Sequence, residues 1–363
     1  MSRHPRRCAL GRALALSVLL VATASPSTAS MTLTFLDVGQ GDATLVAADG
    51  HYVLIDGGRG REDAIAPLRG KGVQALDLMV ATHAHADHIG GLVSVLEEKS
   101  VDTLWYSGDE HSTQTFEAFL DAALGSGVRY VEPTRGHSRT FGGLEVTTLH
   151  PGEQTSGSHL HDRNLVIRLD YGACSAIITG DIEGSGERAI LRAGVNVSAD
   201  VLELGHHGSR SSTTTEWFEA VDPDYAVVQY AEGNPYGHPH GEVLDRIERM
   251  GAEMLGTGAH GTIRMRCSGG EWRVHTEVSG SVVAGDHEPG TDREPEDGAG
   301  AGCIDLNQAP AETLEQIIHI GPTRAEDVID GRPWSSVSEL EAIDGLGPAR
   351  VRDIQEQDDA CVR

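Results

Sequence analysis

Between Ala81 and Gly91 the chain reads ATHAHADHIGG, which sets His83, His85, Asp87 and His88 within six residues. Imidazole and carboxylate are donors that Zn2+, Mn2+ and iron accept. His83 and His85 are two apart, so on an extended segment they face the same side. Asp87 and His88 follow where the chain is expected to turn into a helix after Gly90 and Gly91. A strand-end loop of this kind can point two ligands at one ion and two at another. A lone histidine is ordinarily a surface or core residue, but four donors bounded by an apolar run and Gly-Gly read as a metal site.

Such donors need rigid elements behind them. The runs LTFLDVG, YVLIDGG, DLMVATHAH, LVIRLDYG, SAIITGD, DVLELGHH, YAVVQYA and GTIRMR read as strands, most of them ending in Gly, Asp or His. Helical patterns lie between them over 91–98, 115–124, 186–193, 215–221 and 242–250. This order predicts a layered α/β domain over residues 31–283, with polar residues gathered at the strand ends.

Residues 1–30 carry Arg3, Arg6, Arg7 and Arg12 ahead of an apolar run over 13–24, followed by Ser27-Thr28-Ala29. That is the pattern of a cleaved secretory signal, so the mature chain is expected to be secreted and extracellular, without a membrane anchor. Removing four positive charges and no negative ones takes the net charge from −27 to −31. Lys71 and Lys99 are the two lysines beside 26 arginines, a balance suited to solubility in high salt. It argues against loose electrostatic attraction to nucleic acid. Four cysteines follow residue 30, namely Cys174, Cys267, Cys303 and Cys361, none at zinc-finger spacing. Export permits disulfides, and Cys303–Cys361, which brackets the C-terminal segment, is the pairing expected here, four free thiols being the alternative.

Residues 284–302 hold Gly, Pro and charge but no apolar residue larger than alanine, the composition of a flexible acidic linker. Beyond it, over 303–363, the chain turns helical and repeats itself: IIHIGPTRAEDVI and IDGLGPARVRDI each read as short helix, tight Gly turn, short helix.

H-x-H-x-D-H resembles the hallmark of the metallo-β-lactamase superfamily, and the resemblance implies an αββα sandwich holding two divalent cations, Zn2+ or Mn2+. It also implies that Asp181, at the end of ITGD, bridges the two ions and that His206 of ELGHHGS is a further ligand. The remaining ligand falls in SHLHDRN, where His161 is preferred over His159 and Asp162. FLDVGQGDATLV, LIDGG, GHHGS and YGHPH occur in order and are together similar to the exported metallo-β-lactamase domain of ComEC-type competence proteins, over residues 31–266. On that likeness His83, His85, Asp87, His88, His161, Asp181 and His206 are the expected metal ligands, with Asp87, Asp181 and His238 in catalysis. Asp37 and Asp42 are expected to hold the ligand loops, and Asp56 to orient a ligand histidine. For these three a turn or capping role is the alternative. His207 and His240 are left open. Water between two such cations is acidified to a pKa of about 7 and would attack phosphorus or a carbonyl carbon.

The C-terminal repeat resembles a tandem helix-hairpin-helix module of the ComEA type. Gly345 and Gly347 fit the hairpin turn; the first turn has His319 where glycine is usual, before Gly321. Glycine lets backbone N–H groups approach a phosphate. Gly321, Arg324, Gly345, Gly347 and Arg350 are therefore the expected DNA contacts, without sequence preference, although 303–363 holds 13 acidic residues against 5 arginines. The reading is a secreted metal-dependent nuclease or phosphodiesterase acting on extracellular DNA, single-stranded DNA foremost. The alternatives are a small-molecule hydrolase of the lactonase or β-lactamase kind and a non-catalytic DNA-capture protein.

Overall fold

Alternation along the apolar runs decides the layers. Val53 and Ile55 face one side of their strand and Leu54 the other; Leu78 and Val80 are opposed in the same way to Met79. Both faces are apolar, so both must be covered. The computed structural model describes residues 29–152 and 160–285 and, towards the C terminus, 304–309, 314, 317, 319–320, 322–343, 345–347, 350–351, 354 and 360–362.

One sheet has eight strands in the order Glu271–Thr276, Ile263–Ser268, Met31–Phe35, Thr44–Ala48, His51–Ile55, Leu78–Ala81, Thr103–Tyr106 and Arg129–Val131. The other has seven, in the order Glu253–Gly256, Tyr225–Val228, Val201–Glu203, Cys174–Ile178, Val166–Tyr171, Leu144–His150 and Ser138–Phe141. Phe35, Ile55, Val80 and Trp105 of the first sheet share a buried core with Val146, Ile167, Ile178 and Val227 of the second. Helices Ile65–Gly70, Ala86–Glu98 and Gln114–Ser126 cover the outer face of the first sheet through Ile65, Ile89, Leu92 and Phe119. Gly184–Arg192, Thr215–Val221 and Gly241–Met250 cover the second through Ile190, Trp217, Phe218 and Val243. The result is the expected αββα sandwich.

Two features differ from the sequence expectation. The helix after the histidine cluster starts at Ala86, not after Gly91, so Asp87 and His88 lie in its first turn. Gly90 and Gly91 are inside the helix because another backbone presses on it. A Cβ on Gly90 would stand 2.0 Å from the Arg59 carbonyl oxygen, and one on Gly91 1.9 Å from that of Gly57. Strands such as Leu144–His150 and Thr103–Tyr106 were also not expected; the first alternates buried positions with Glu145 and Thr147, too weak a pattern to stand out.

The alternative of four free thiols does not hold, because the structure describes a disulfide that the sequence did not single out, Cys174–Cys267. It joins a strand of one sheet to a strand of the other inside the shared core, across 93 residues of chain. Cys361 is disulfide-bonded, and Cys303 lies outside the described residues. So do 286–302 of the expected linker, while Gly285 N–H donates to the Pro239 carbonyl at 3.1 Å and belongs with the sandwich. Among the described residues no helix is long and apolar enough to cross a membrane.

The C-terminal segment has a core of its own, with Leu306, Ile320, Val328, Trp334, Leu346 and Ile354 buried together. A parallel ladder of Ile304–Asp305 with Ala360–Cys361 closes its ends. The internal repeat is structural as well. His319 has φ +63 and Gly345 φ +79, and each turn carbonyl accepts a bond from the arginine five residues on: Arg324 Nη1 to His319 at 2.9 Å and Arg350 Nη1 to Gly345 at 2.8 Å. These arginines brace the turns. Gly321 lies outside the described residues.

A disulfide that closes a long loop restrains the unfolded chain, so the double variant Cys174→Ala/Cys267→Ala is expected to lose roughly 2–4 kcal/mol of unfolding free energy. Urea unfolding checks this, and an unchanged midpoint would show that the cross-link adds no stability.

Candidate metal centre

Loops from both sheets bring their polar tips to one place. From the first sheet come Asp42, Asp56 and the segment from His83 to His88. The second supplies His161, in the turn Leu160–Arg163, then Asp181 and the Gly205–Gly208 turn. His83, His85, His161 and Asp181 form one group of donors lying within 4.8 Å of one another, and Asp87, His88 and His207 form a second. Asp181 stands between them. Its Oδ2 is 3.5 Å from His83 Nε2, 3.3 Å from His88 Nε2, 3.8 Å from His161 Nε2 and 3.7 Å from His206 Nε2, and its Oδ1 is 3.7 Å from His207 Nε2.

The ring orientations have identifiable causes. Asp56, which itself has φ +56, accepts bonds from Thr82 N–H at 2.8 Å and Thr82 Oγ1–H at 2.7 Å, and from His88 Nδ1 at 2.8 Å. With its proton given to Asp56, Thr82 Oγ1 accepts from His83 Nδ1 at 3.1 Å. His207 Nδ1 donates to the Gln229 carbonyl at 3.0 Å, with Asp42 Oδ1 at 3.2 Å. Each of the three rings thus engages Nδ1 with protein and aims Nε2 at the centre.

Gln229 also ties the two sheets together under the site. Its Oε1 accepts from Ala43 N–H at 3.1 Å, and its Nε2 donates to Glu203 Oε1 at 2.7 Å and Thr44 Oγ1 at 3.2 Å. Glu203 in turn accepts from the N–H groups of Thr179 and Gly180, just before Asp181. Burial, together with the charge of Asp42, pushes the Glu203 carboxyl up to about 8.

The electrostatics suit cations. Burial and the nearby His88 charge hold His83 well below the usual imidazole range, leaving the neutral ring that metals bind. Burial also disfavours charge on His88, but Asp181 and Asp56 outweigh it and raise its pKa well above the ordinary value. Burial would raise Asp181, yet the charges of His88, His206 and His207 pull it well below the carboxylate range. His83 Nε2, His88 Nε2, His207 Nε2 and Asp181 Oδ1 are buried with no hydrogen-bond partner among the described residues. Converging orphan donors of this chemistry fit divalent metal ions.

The residues singled out in the sequence fall as follows. His83, His85, Asp87, His88, His161 and Asp181 come together. His206 reaches Asp181 but stands with His161 and Glu183, whose carboxylate lies 3.6 Å and 3.7 Å from their Nδ1 atoms. Its neighbour His207 is the one that faces Asp87, at 3.5 Å. Both have positive φ, +52 and +53, a strained conformation for histidine, so consecutive side chains diverge to different sides of the centre. His238 is buried with its ring 5.7 Å from that of His206 and 6.3 Å from that of His207. Asp37 lies outside the centre and accepts the Gly39 N–H at 3.2 Å. His159 and the side chain of Asp162 lie outside what is described. Glu183, Glu203 and Gln229 went unnoticed in the sequence; the LELGHH run marks Glu203, but as a plain strand residue.

Residues 36–232 match the family model described as the metallo-beta-lactamase superfamily. The chain belongs to the metallo-beta-lactamase superfamily. A second match, to the helix-hairpin-helix motif, covers residues 300–357. Over 251 residues the chain is 33% identical to ComE operon protein 3 of Bacillus subtilis (strain 168), covering 64% of this chain and 32% of that protein. Competence protein ComA of Neisseria gonorrhoeae is 29% identical over 236 residues, again 64% and 32% of the two chains. The chain thus spans about a third of the length of these relatives. A deoxyribonuclease of Thioalkalivibrio sp. (strain K90mix) is 47% identical over 62 residues, 17% of each chain. Metallo-beta-lactamase proteins typically hold divalent metals, in keeping with the donors gathered here.

Asp56→Ala removes the acceptor behind both His83 and His88. Metal affinity, measured by competition with a chelator, is expected to fall about 10- to 100-fold; an unchanged affinity would show that those rings are aimed by other means.

Proposed function

We propose that this metallo-beta-lactamase chain is a secreted phosphodiesterase that cleaves extracellular DNA, single-stranded DNA foremost, held without sequence preference by its C-terminal module. The observation that carries the reading is the Asp181 carboxylate set between two donor groups on a chain that also carries a helix-hairpin-helix motif. In this reading His83, His85, His161 and Asp181 hold one cation, and Asp87, His88, His207 and Asp181 the other, Zn2+ or Mn2+. Bound there, such cations acidify water and neutralise charge developing on a phosphoryl group.

The chain's own groups do the rest. Asp56, Thr82 and the Gln229 carbonyl keep the Nδ1 atoms of His83, His88 and His207 engaged, so the geometry needs no reorganisation during reaction. His238 is held by the 234–238 turn, where Asn234 Oδ1 accepts its N–H at 3.1 Å, and lies on the His206–His207 side as the proton donor to a leaving oxygen. The C-terminal module raises the local concentration of DNA at the centre. Its arginines brace their own turns, so phosphate recognition rests on backbone N–H groups. The buried disulfide supports an oxidising destination, in keeping with a secretory signal over residues 1–30.

The test is incubation of single- and double-stranded DNA with the metal-loaded protein and with Asp181→Ala. Nucleotide release should fall about a hundredfold or more in the variant. Hydrolysis of a lactone or nitrocefin without DNA cleavage would overturn the proposal in favour of small-molecule chemistry, and tight metal-independent DNA binding with no cleavage would reduce the protein to capture.

Gly345→Val forces a branched side chain to φ +79, a strain of about 1–3 kcal/mol. Binding of long DNA should weaken while hydrolysis of bis(p-nitrophenyl) phosphate stays unchanged; equal DNA affinity in a gel-shift titration would remove the turn from the DNA contact.

A further inference from the structure

We infer that Arg59 forms an anion subsite beside the metal centre and takes a non-bridging oxygen of a phosphodiester, an inference that rests on the phosphodiesterase reading. Arg59 lies in the loop that presses on the two helix glycines. Gly57 N–H donates to the His88 carbonyl at 2.7 Å, Gly91 N–H to the Gly58 carbonyl at 2.9 Å and Gly58 N–H to the Asp42 carbonyl at 2.8 Å. Asp63 closes the loop by accepting the Gly60 N–H at 2.6 Å. The backbone of Arg59 is therefore fixed against the turn that carries Asp87 and His88.

The side chain reaches the centre without being bound there. Its Nη2 is 4.0 Å from Asp87 Oδ1, beyond hydrogen-bond reach, and the side chain is 37% exposed. Its Nε is buried with no hydrogen-bond partner among the described residues. Arg61, two residues on in the same loop, turns outward to pair with Glu97 instead. The exposed Nη N–H groups of Arg59 suit a charged phosphodiester oxygen, and a neutral ester offers them nothing comparable. Arg59 would bind the phosphate equally in ground and transition states, which raises affinity without changing turnover.

The experiment compares the metal-loaded full chain with Arg59→Ala and Arg59→Lys. It measures metal content, the affinity for inorganic phosphate by calorimetry, and the hydrolysis of bis(p-nitrophenyl) phosphate and of p-nitrophenyl acetate. Expected for Arg59→Ala are unchanged metal content, phosphate affinity and KM for the phosphodiester each weakened about tenfold, and an unaltered KM for the acetate, with partial recovery in Arg59→Lys. Unchanged phosphate affinity overturns the inference, as does loss of metal in Arg59→Ala, which would make Arg59 a charge partner of Asp87. A wild-type protein that binds phosphate through Arg59 yet cleaves no phosphodiester would sink the nuclease reading and leave the anion subsite standing.

Discussion

A carboxylate sealed among five histidines governs this molecule. Asp181 is 2% exposed, and nitrogens of His83, His88, His161, His206 and His207 lie within 3.8 Å of it. Buried charge at this density is tolerated only with matched partners and further hydrogen bonds. Asp56, Thr82 and Asp42 supply these on one sheet, Glu203 and Gln229 on the other, and the Gln229 side chain reaches across to Thr44 and to Ala43, next to Asp42. The centre therefore exists only when the two sheets close on each other. Cys174–Cys267 ties the same sheets at the strand ends away from it.

Close backbone approach is the second constraint. Gly57, Gly90 and Gly91 let a loop lie against the helix that bears Asp87 and His88, and Gly41 passes so near that a Cβ would stand 2.4 Å from the Asp87 carbonyl oxygen. These contacts hold the first turn of the helix at a fixed depth. They also set Arg59 beside the turn that carries Asp87, with Nη2 4.0 Å from its Oδ1.

The C-terminal module stands on different physics. Its core is small, its composition is acidic, and its two turns are held by a repeated arginine-to-carbonyl bond. His319 takes the left-handed conformation that Gly345 adopts without strain, so the two halves of the repeat are equivalent in geometry but not in cost. Under the proposed DNA binding, backbone dipoles would carry the phosphate contact, which an acidic composition does not forbid.

The sequence by itself determined what is local. The alternation of apolar residues marked most of the strands that flank the centre, H-x-H-x-D-H marked the metal-binding turn, and the repeated Gly-Pro-x-Arg pattern marked the hairpins. Spacing carries this information because neighbours along a strand or turn have fixed relative directions. The tertiary structure alone decided what converges. Nothing in GHHGS distinguishes His206 from His207; two successive left-handed residues send one to Glu183 and the other to Asp87. The pairing of Cys174 with Cys267, the Gln229 link and the packing role of Gly90–Gly91 depend on segments from about 30 to nearly 190 residues apart, whose approach is set by closure of the sandwich rather than by local pattern.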